Sequence, residues 1–232
     1  PGYGFLSEND DFARLCEKNK INFIGPSADS MNLCGDKMRC KAAMLKADVP
    51  TVPGSPGLVQ DADEAEKIAN DIGYPVLLKS VYGGGGRGIR LVTNDKELQE
   101  GFETVTSESI AAVGKSAIIV EKFLEKTRHI EYQMCRDKHG NAVHLFEREC
   151  SIQRRNQKLI EQTPSPVVDE AKRKEIGELV IKAAEAVDYT NLGTAEFLRA
   201  DSGEFYFIEI NARLQVEHPI SEMVSGLDFV KL

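Results

Sequence analysis

The stretch Thr194-Ala-Glu196-Phe-Leu-Arg-Ala-Asp201-Ser-Gly203-Glu-Phe-Tyr-Phe-Ile-Glu209-Ile-Asn211-Ala-Arg213-Leu-Gln215-Val-Glu217-His-Pro219 decides how this chain is read. Two apolar-rich runs flank Asp201-Ser202-Gly203, a turn signal, so the stretch predicts a β-hairpin. Side chains alternate faces along a strand, which puts Glu209 and Asn211 on one side. Counting back from the turn sets Glu196 about opposite Glu209. Two carboxylates facing each other across strands repel, and a divalent cation between them removes the conflict. Two carboxylates and an amide are hard oxygen donors of the kind Mg²⁺ or Mn²⁺ takes, with positions left for water and phosphate oxygens. The hairpin therefore suggests a metal–nucleotide site. A hairpin with solvated acids on its outer face is the alternative.

The 232 residues carry 29 Lys and Arg against 37 Asp and Glu, a net charge of −8. That length suits one large or two smaller domains. The charge balance excludes a basic nucleic-acid footprint and a polybasic membrane patch, so an anionic substrate needs locally focused Lys and Arg. No apolar run approaches membrane-span length, and no stretch reads as a signal peptide. Cys16, Cys34, Cys40, Cys135 and Cys150 show no C-x-x-C or zinc-type spacing. Buried, reduced thiols in the cytoplasm or an organelle matrix are expected. The chain opens at Pro1 and stops inside Ile220–Leu232, which reads as helix, so a fragment of a longer protein is expected.

Ser7–Lys20 reads as a helix, Ile21–Gly25 as a short strand and Asp29–Asp48 as a second helix. This βα pattern over residues 1–50 is expected to be the tail of an α/β domain. Thr51-Val-Pro-Gly-Ser-Pro-Gly57 is a Pro/Gly-rich boundary. Residues 51–124 are expected to form a compact α+β unit: helix Asp61–Ile72 capped by Gly73, strand Pro75–Val81, a glycine loop, strand Gly88–Thr93, helix Asp95–Val113 and strand Ser116–Glu121. Residues 125–232 are expected to form a larger unit from strands Arg128–Arg136 and Ala142–Glu149, the periodic helix Glu170–Val187, and the hairpin.

Gly83-Gly-Gly-Gly-Arg87-Gly88 formally matches G-x-G-x-x-G, but Ile89-Arg-Leu-Val follows it as a strand, so it is neither a Rossmann fingerprint nor a P-loop. A glycine turn lets backbone N–H groups approach phosphate oxygens; a flexible hairpin turn is the alternative. Lys79 sits in the apolar strand Pro75-Val-Leu-Leu-Lys79, where an unpaired buried ammonium is costly. A phosphate in the adjacent loop compensates it; a snorkelling edge lysine is the alternative. Lys37 alone reads as a solvated helix lysine. Ala117-Ile-Ile-Val-Glu121-Lys122-Phe123-Leu124 runs from an apolar strand into a connection, where backbone could pair with an adenine edge. Cys150-Ser-Ile-Gln153-Arg-Arg-Asn156-Gln-Lys158 reads as an anion site or a charged surface loop. His129 alternates with apolar residues on its strand, and it and His218 read as structural.

Together these segments resemble the biotin carboxylase component of biotin-dependent carboxylases of the acetyl-CoA, propionyl-CoA or pyruvate carboxylase type, within the ATP-grasp superfamily. The resemblance spans essentially the whole chain. It is carried by Pro1-Gly-Tyr-Gly-Phe-Leu-Ser-Glu-Asn, Phe23-Ile-Gly-Pro, Gly35-Asp-Lys, Gly73-Tyr-Pro-Val, the glycine loop, Glu121-Lys, Arg128-His-Ile-Glu, Cys150-Ser-Ile-Gln-Arg-Arg and Arg213-Leu-Gln-Val-Glu-His-Pro. It implies an ATP-grasp fold, α+β and α/β in class, preceded by a pre-ATP-grasp α/β tail: 1–50 the tail, 51–124 the lid, 125–232 the catalytic domain. It implies that Lys37 and Lys79 contact ATP phosphates under a flap carrying Gly85 and Gly86. Glu121, Lys122 and Leu124 would hold the adenine, and His129, Gln153 and Asn156 would line the nucleotide pocket. Glu196, Glu209 and Asn211 would hold two Mg²⁺ or Mn²⁺ ions. Lys158, Arg213, Gln215 and Val216 would bind bicarbonate, with Glu217 as general base. The implied reaction makes carboxyphosphate and then carboxylates biotin on a carrier protein or domain, which passes the carboxyl group to a carboxyltransferase component; a homodimer is implied for the complete protein. Three departures stand out: Asn156 replaces the family's usual His, Gln162-Thr163 replaces Glu-Ala, and the family's opening strands and C-terminal region lie outside these residues. Two alternatives remain: a carbamoyl-phosphate-synthetase-like ligase, and a non-catalytic nucleotide-binding subunit.

Overall fold

The larger of two units opens with three helices, α1 (Asp10–Lys18), α2 (Ala28–Gly35) and α3 (Lys37–Lys46). A computed structural model describes residues 2–81, 88–155 and 157–232, and it divides the chain into residues 1–51 with 126–232 and a smaller unit, Val52–Glu125. The single helix expected over Asp29–Asp48 is two. Asp36 adopts an extended backbone, and its carboxylate accepts from the N–H groups of Met38 and Arg39 at 3.1 Å, restarting the chain as a capped helix. Ile21–Gly25 is not a strand. The Ile21 N–H closes the end of α1 on the Cys16 carbonyl at 2.9 Å, and no ladder partner lies beside the segment among the described residues.

The smaller unit contains α4 (Ala62–Ile72), β1 (Val76–Ser80), β2 (Ile89–Val92), α5 (Asp95–Val113) and β3 (Ile118–Lys122), with an antiparallel sheet in the order β2-β1-β3. Period-2 alternation splits β1: Val76 and Leu78 pack with Val92, Ile118 and Val120 beneath Ala65, Leu98, Phe102 and Val105. Leu77 and Lys79 take the opposite face. Gly54 bridges to Glu121 so closely that a Cβ there would meet the Val120 carbonyl oxygen at 2.3 Å; glycine is what permits the approach.

The larger unit continues with β4 (Arg128–Arg136), β5 (Ala142–Arg154), β6 (Gln157–Gln162), α6 (Glu170–Ala186), β7 (Asn191–Arg199), β8 (Phe205–Asn211) and α7 (His218–Ser225). Its sheet runs β6-β5-β4-β7-β8, antiparallel throughout. One face is apolar. Ile130, Tyr132 and Met134 of β4 and Ala195 and Phe197 of β7 form one core with Ile176, Val180, Ala183 and Ala184 of α6. The run Cys150–Lys158, expected as an anion site or a charged loop after a strand ending at Glu149, lies, in its described residues, at the irregular end of a β5–β6 hairpin in which Ile152 pairs with Ile160. The expected C-terminal helix ends at Ser225, because Gly226 turns left-handed at φ 72°.

Candidate active site

The second face of the five-stranded sheet is polar and just as dry. Register places Glu131 of β4 opposite both Arg148 of β5 and Glu196 of β7, and Gln133 opposite Thr194. Across the next ladder Glu196 pairs with Glu209 and Thr194 with Asn211, the arrangement expected from the turn. Glu131, Gln133, Arg148 and Thr194 have no accessible surface, and Glu196 keeps 6%.

Lys158 is the hub of this face. Its ammonium donates to Glu131, to Glu196 Oε1 at 3.0 Å and to Glu217 Oε1 at 2.8 Å. Three donors matched to three carboxylates satisfy the lysine fully. Glu196 Oε1 also accepts from Asn211 Nδ2 at 2.8 Å and Gln215 Nε2 at 3.0 Å. His129 Nε2 stands 3.1 Å from Glu196 Oε2, a charge contact without hydrogen-bond alignment. Burial disfavours every one of these charges, and mutual pairing outweighs it. The His129 imidazole is lowered by burial but raised more by Glu131 and Glu196, to about 9, so it is charged at neutral pH. Burial likewise opposes ionisation of Glu196, yet His129 and Lys158 bring it down to about 2. Glu131 is held well below the usual carboxylate range by His129, Arg148 and Lys158 against the same burial. Lys158 is raised, because Glu131 and Glu196 overcome its desolvation.

The hairpin carboxylates therefore meet resident cations. Glu196 has Lys158 and His129, and Glu209 Oε2 lies 3.1 Å from Lys37 Nζ, which sits at the start of α3 and is largely exposed. Glu196, Glu209 and Asn211 still offer oxygens from one face of β7–β8, a donor set that fits a hard divalent cation. Among the described residues, His129, Glu131 and Glu196 also bring one donor atom each within 4.8 Å of one another, a cluster that Lys158 and Arg148 hold by ion pairs.

Arg213 has a partner that its motif does not announce. Its Nε donates to Glu8 Oε2 at 2.8 Å while the Ala212 N–H donates to Glu8 Oε1 at 3.0 Å, so one carboxylate clamps the loop after β8. Arg213 Nη2 reaches Asn211 Oδ1 at 3.2 Å. Gln215 is buried, whereas Val216 is exposed, as is Gln153, whose amide donates to the Cys150 carbonyl at 2.9 Å. Thr163 closes the β6 exit by donating to the Glu147 carbonyl at 2.7 Å.

In the smaller unit, the cost of burying Lys79 is offset within the sheet: its ammonium lies 2.6 Å from Glu121 Oε2. Lys122 donates to the Gly73 and Tyr74 carbonyls at 2.8 and 2.9 Å, tying β3 to the turn before β1. Leu124 is half-buried. Gly85, Gly86 and Asn156 lie outside the described residues.

Glu131, Gln133, Arg148 and Glu8 were not singled out in the sequence. For Glu131 and Gln133 a signal existed: the alternation that exposed His129 continues through His129-Ile-Glu131-Tyr-Gln133-Met. Arg148 offered none, and Glu8, quoted within Pro1–Asn9 without a role, has its partner Arg213 remote in sequence.

The fold is that of an ATP-grasp protein. Residues 36–232 match the family described as Carbamoyl-phosphate synthase L chain, ATP binding domain, and residues 1–31 match Biotin carboxylase, N-terminal domain. The chain is 52% identical over 231 residues to the 2-oxoglutarate carboxylase small subunit of Hydrogenobacter thermophilus, covering 100% of itself and 49% of that protein. It is 52% identical over 230 residues to the biotin carboxylase of a Nostoc species, covering 99% of itself and 52% of that protein. The crystal structure of the Hydrogenobacter thermophilus 2-oxoglutarate carboxylase biotin carboxylase domain dimer, in complex with MgADP, ADP and bicarbonate, superposes with a TM-score of 0.89 at 52% identity, over 100% of this chain and 51% of that one. The chain belongs to the biotin carboxylase family. It spans about half the length of the curated relatives it matches. No helix among the described residues is long and apolar enough to cross a membrane.

Proposed function

We propose that this chain supplies the nucleotide- and bicarbonate-handling residues of a biotin carboxylase, which uses ATP to activate bicarbonate as carboxyphosphate and transfers the carboxyl group to biotin on a carrier protein or domain. The observation that carries this reading is the Lys158 hub, which ties Glu217 to Glu196 within one hydrogen-bond network. In this reading Arg213 clamps bicarbonate with its planar fork, Lys158, Gln215 and the exposed Val216 border the anion, and Glu217 takes its proton. Lys37 and Lys79 neutralise phosphate charge, with Gly85 and Gly86 covering it; Glu121, Lys122 and Leu124 receive the adenine, and His129, Gln153 and Asn156 complete the nucleotide's surroundings. Glu196, Glu209 and Asn211 hold Mg²⁺ or Mn²⁺, which when bound supplies charge neutralisation for phosphoryl transfer. The bound MgADP and bicarbonate of the Hydrogenobacter relative support these substrate classes.

The same resemblance supports residues 51–124 as the lid and 125–232 as the catalytic domain. It also supports a carboxyltransferase partner, self-association like that of the related domain dimer, and a cytoplasmic or organelle-matrix location in keeping with five free cysteines. The test is bicarbonate-dependent ATP hydrolysis by the full-length protein with Mg²⁺, with and without free biotin. Stimulation by biotin is expected. Stimulation by ammonia with indifference to biotin would instead identify a carbamoyl-phosphate-type ligase, and ATP binding without hydrolysis a binding-only subunit.

A further inference from the structure

Arg148 is the largest fully buried side chain among the described residues, and every one of its five donors is used. Nε donates to Glu131 Oε1 at 2.6 Å. Nη1 donates to Gln133 Oε1 at 2.9 Å and Ser221 Oγ at 3.0 Å. Nη2 donates to Thr194 Oγ1 at 3.1 Å and Gln215 Oε1 at 3.0 Å. The acceptors come from β4, β7, α7 and the loop after β8. A guanidinium presents its five N–H groups in one rigid plane, so five simultaneous bonds fix all five acceptors relative to one another.

We propose that Arg148 is a positioning residue for the bicarbonate and metal side of the site, acting through the Glu131 carboxylate and the Gln215 amide. Its catalytic consequence rests on the biotin carboxylase reading. Two routes lead from the guanidinium to Lys158. In the first, Arg148 holds one oxygen of Glu131 and thereby aims the other at the Lys158 ammonium. In the second, Arg148 captures the Gln215 oxygen, which leaves the Gln215 NH₂ to donate to Glu196 Oε1, the oxygen Lys158 also contacts. With Gln215 reversed, its NH₂ would face the guanidinium and Glu196 would lose a donor. Neutralising Glu131 alone would need one or two of the five bonds. Lysine cannot replace this geometry, because its three donors diverge from a single nitrogen.

The experiment compares the full-length wild type with Arg148→Lys and, as control, Ser221→Ala, which removes one Arg148 bond that has no route to Lys158. The first readout is the Gln215 side-chain amide signal in ¹⁵N NMR, assigned by its loss in Gln215→Glu. In the wild type it should be displaced from the position of free glutamine and slow to exchange; in Arg148→Lys it should move to the free position, and in Ser221→Ala it should stay. The second readout is bicarbonate-dependent ATP turnover. Misplaced groups at a reacting centre cost about a hundredfold in rate, so kcat should fall by about that factor in Arg148→Lys while KM for ATP changes less than about threefold. A wild-type Gln215 amide in the free position overturns the proposal whether or not Arg148→Lys folds, as does a folded Arg148→Lys whose Gln215 signal or kcat is unchanged. A wild type that shows the shifted amide but no bicarbonate-dependent hydrolysis would leave Arg148 as the organiser of Gln215 and sink the functional reading and the kcat claim with it.

Discussion

The two faces of the five-stranded sheet are equally buried and are held by opposite means. Beneath α6, Tyr132, Phe197 and Phe207 stack edge-to-face, with ring centroids 6.3 and 5.8 Å apart, inside an aliphatic core. Its stability comes from area removed from water, which is non-directional and tolerates repacking. One residue further along the same strands, Glu131, Gln133, Arg148 and Glu196 are as dry, but each depends on partners at fixed distances. Burial there strengthens every charge interaction and makes each unmade bond expensive. The alternation of a strand thus separates a face that stabilises from a face that positions.

Changes on the apolar face should lower stability and leave the chemistry of the folded protein intact. Phe197→Ala removes a fully buried ring between Tyr132 and Phe207 and should cost about 3–5 kcal/mol in urea unfolding, with turnover per folded molecule unchanged. A comparable loss of turnover in the folded variant would break the comparison. Gly177 of α6 is a narrower test, because a Cβ there would lie 2.3 Å from His144 Nε2. Gly177→Ala must displace the half-buried His144 ring while gaining helix propensity, so it should move the denaturation midpoint less than Phe197→Ala does, at constant m-value.

Glu149 sharpens the comparison by pH. Burial alone would raise its carboxyl, but Ser165, Arg128 and Ser151 hold it below the ordinary 4.5. A carboxylate lowered in the folded state contributes stability that is fully present above the unfolded value and lost as pH falls through the folded one. Glu149→Gln should therefore be less stable than wild type at neutral pH, with the difference shrinking as pH drops below about 4.5; a difference that is constant or grows towards acid would contradict the pairing. The smallest effect belongs to the exposed Arg14–Asp29 pair, 2.6 Å apart. Screened by solvent, it should leave the denaturation midpoint unmoved in Arg14→Ala.

The β7–β8 hairpin was legible in the sequence because its turn residues and period-2 pattern are local, and Glu196 does pair with Glu209. The expected helix starts at Asp61, Asp95 and Glu170 fall within a residue of the observed ones, where Asp61, Asn94 and Asp169 are the N-caps. The break at Asp36 was missed because apolar residues continue on both sides of it. Strand β6 was missed because charges crowd its approach, while its pairing with β5 is a tertiary fact. A phosphate partner and a snorkelling edge position were the two local readings of Lys79; that Glu121, 42 residues later, lies beside its ammonium is a pairing across the sheet that no local pattern shows. Arg148 shows the limit most clearly: its acceptors lie 15 to 73 residues away, and nothing local marks it. What chemistry needs from this site is assembled across strands.

The central claim, that the polar face positions groups for carboxylation, is tested most directly with Glu217→Gln in the full-length protein. The variant keeps the volume of Glu217 and leaves Lys158 paired to Glu131 and Glu196. Loss of a general base costs about 10²–10⁴-fold, so biotin-stimulated, bicarbonate-dependent ATP hydrolysis should fall by at least about a hundredfold while the melting temperature stays close to that of the wild type. Stimulation by biotin that survives in the folded variant would contradict the account.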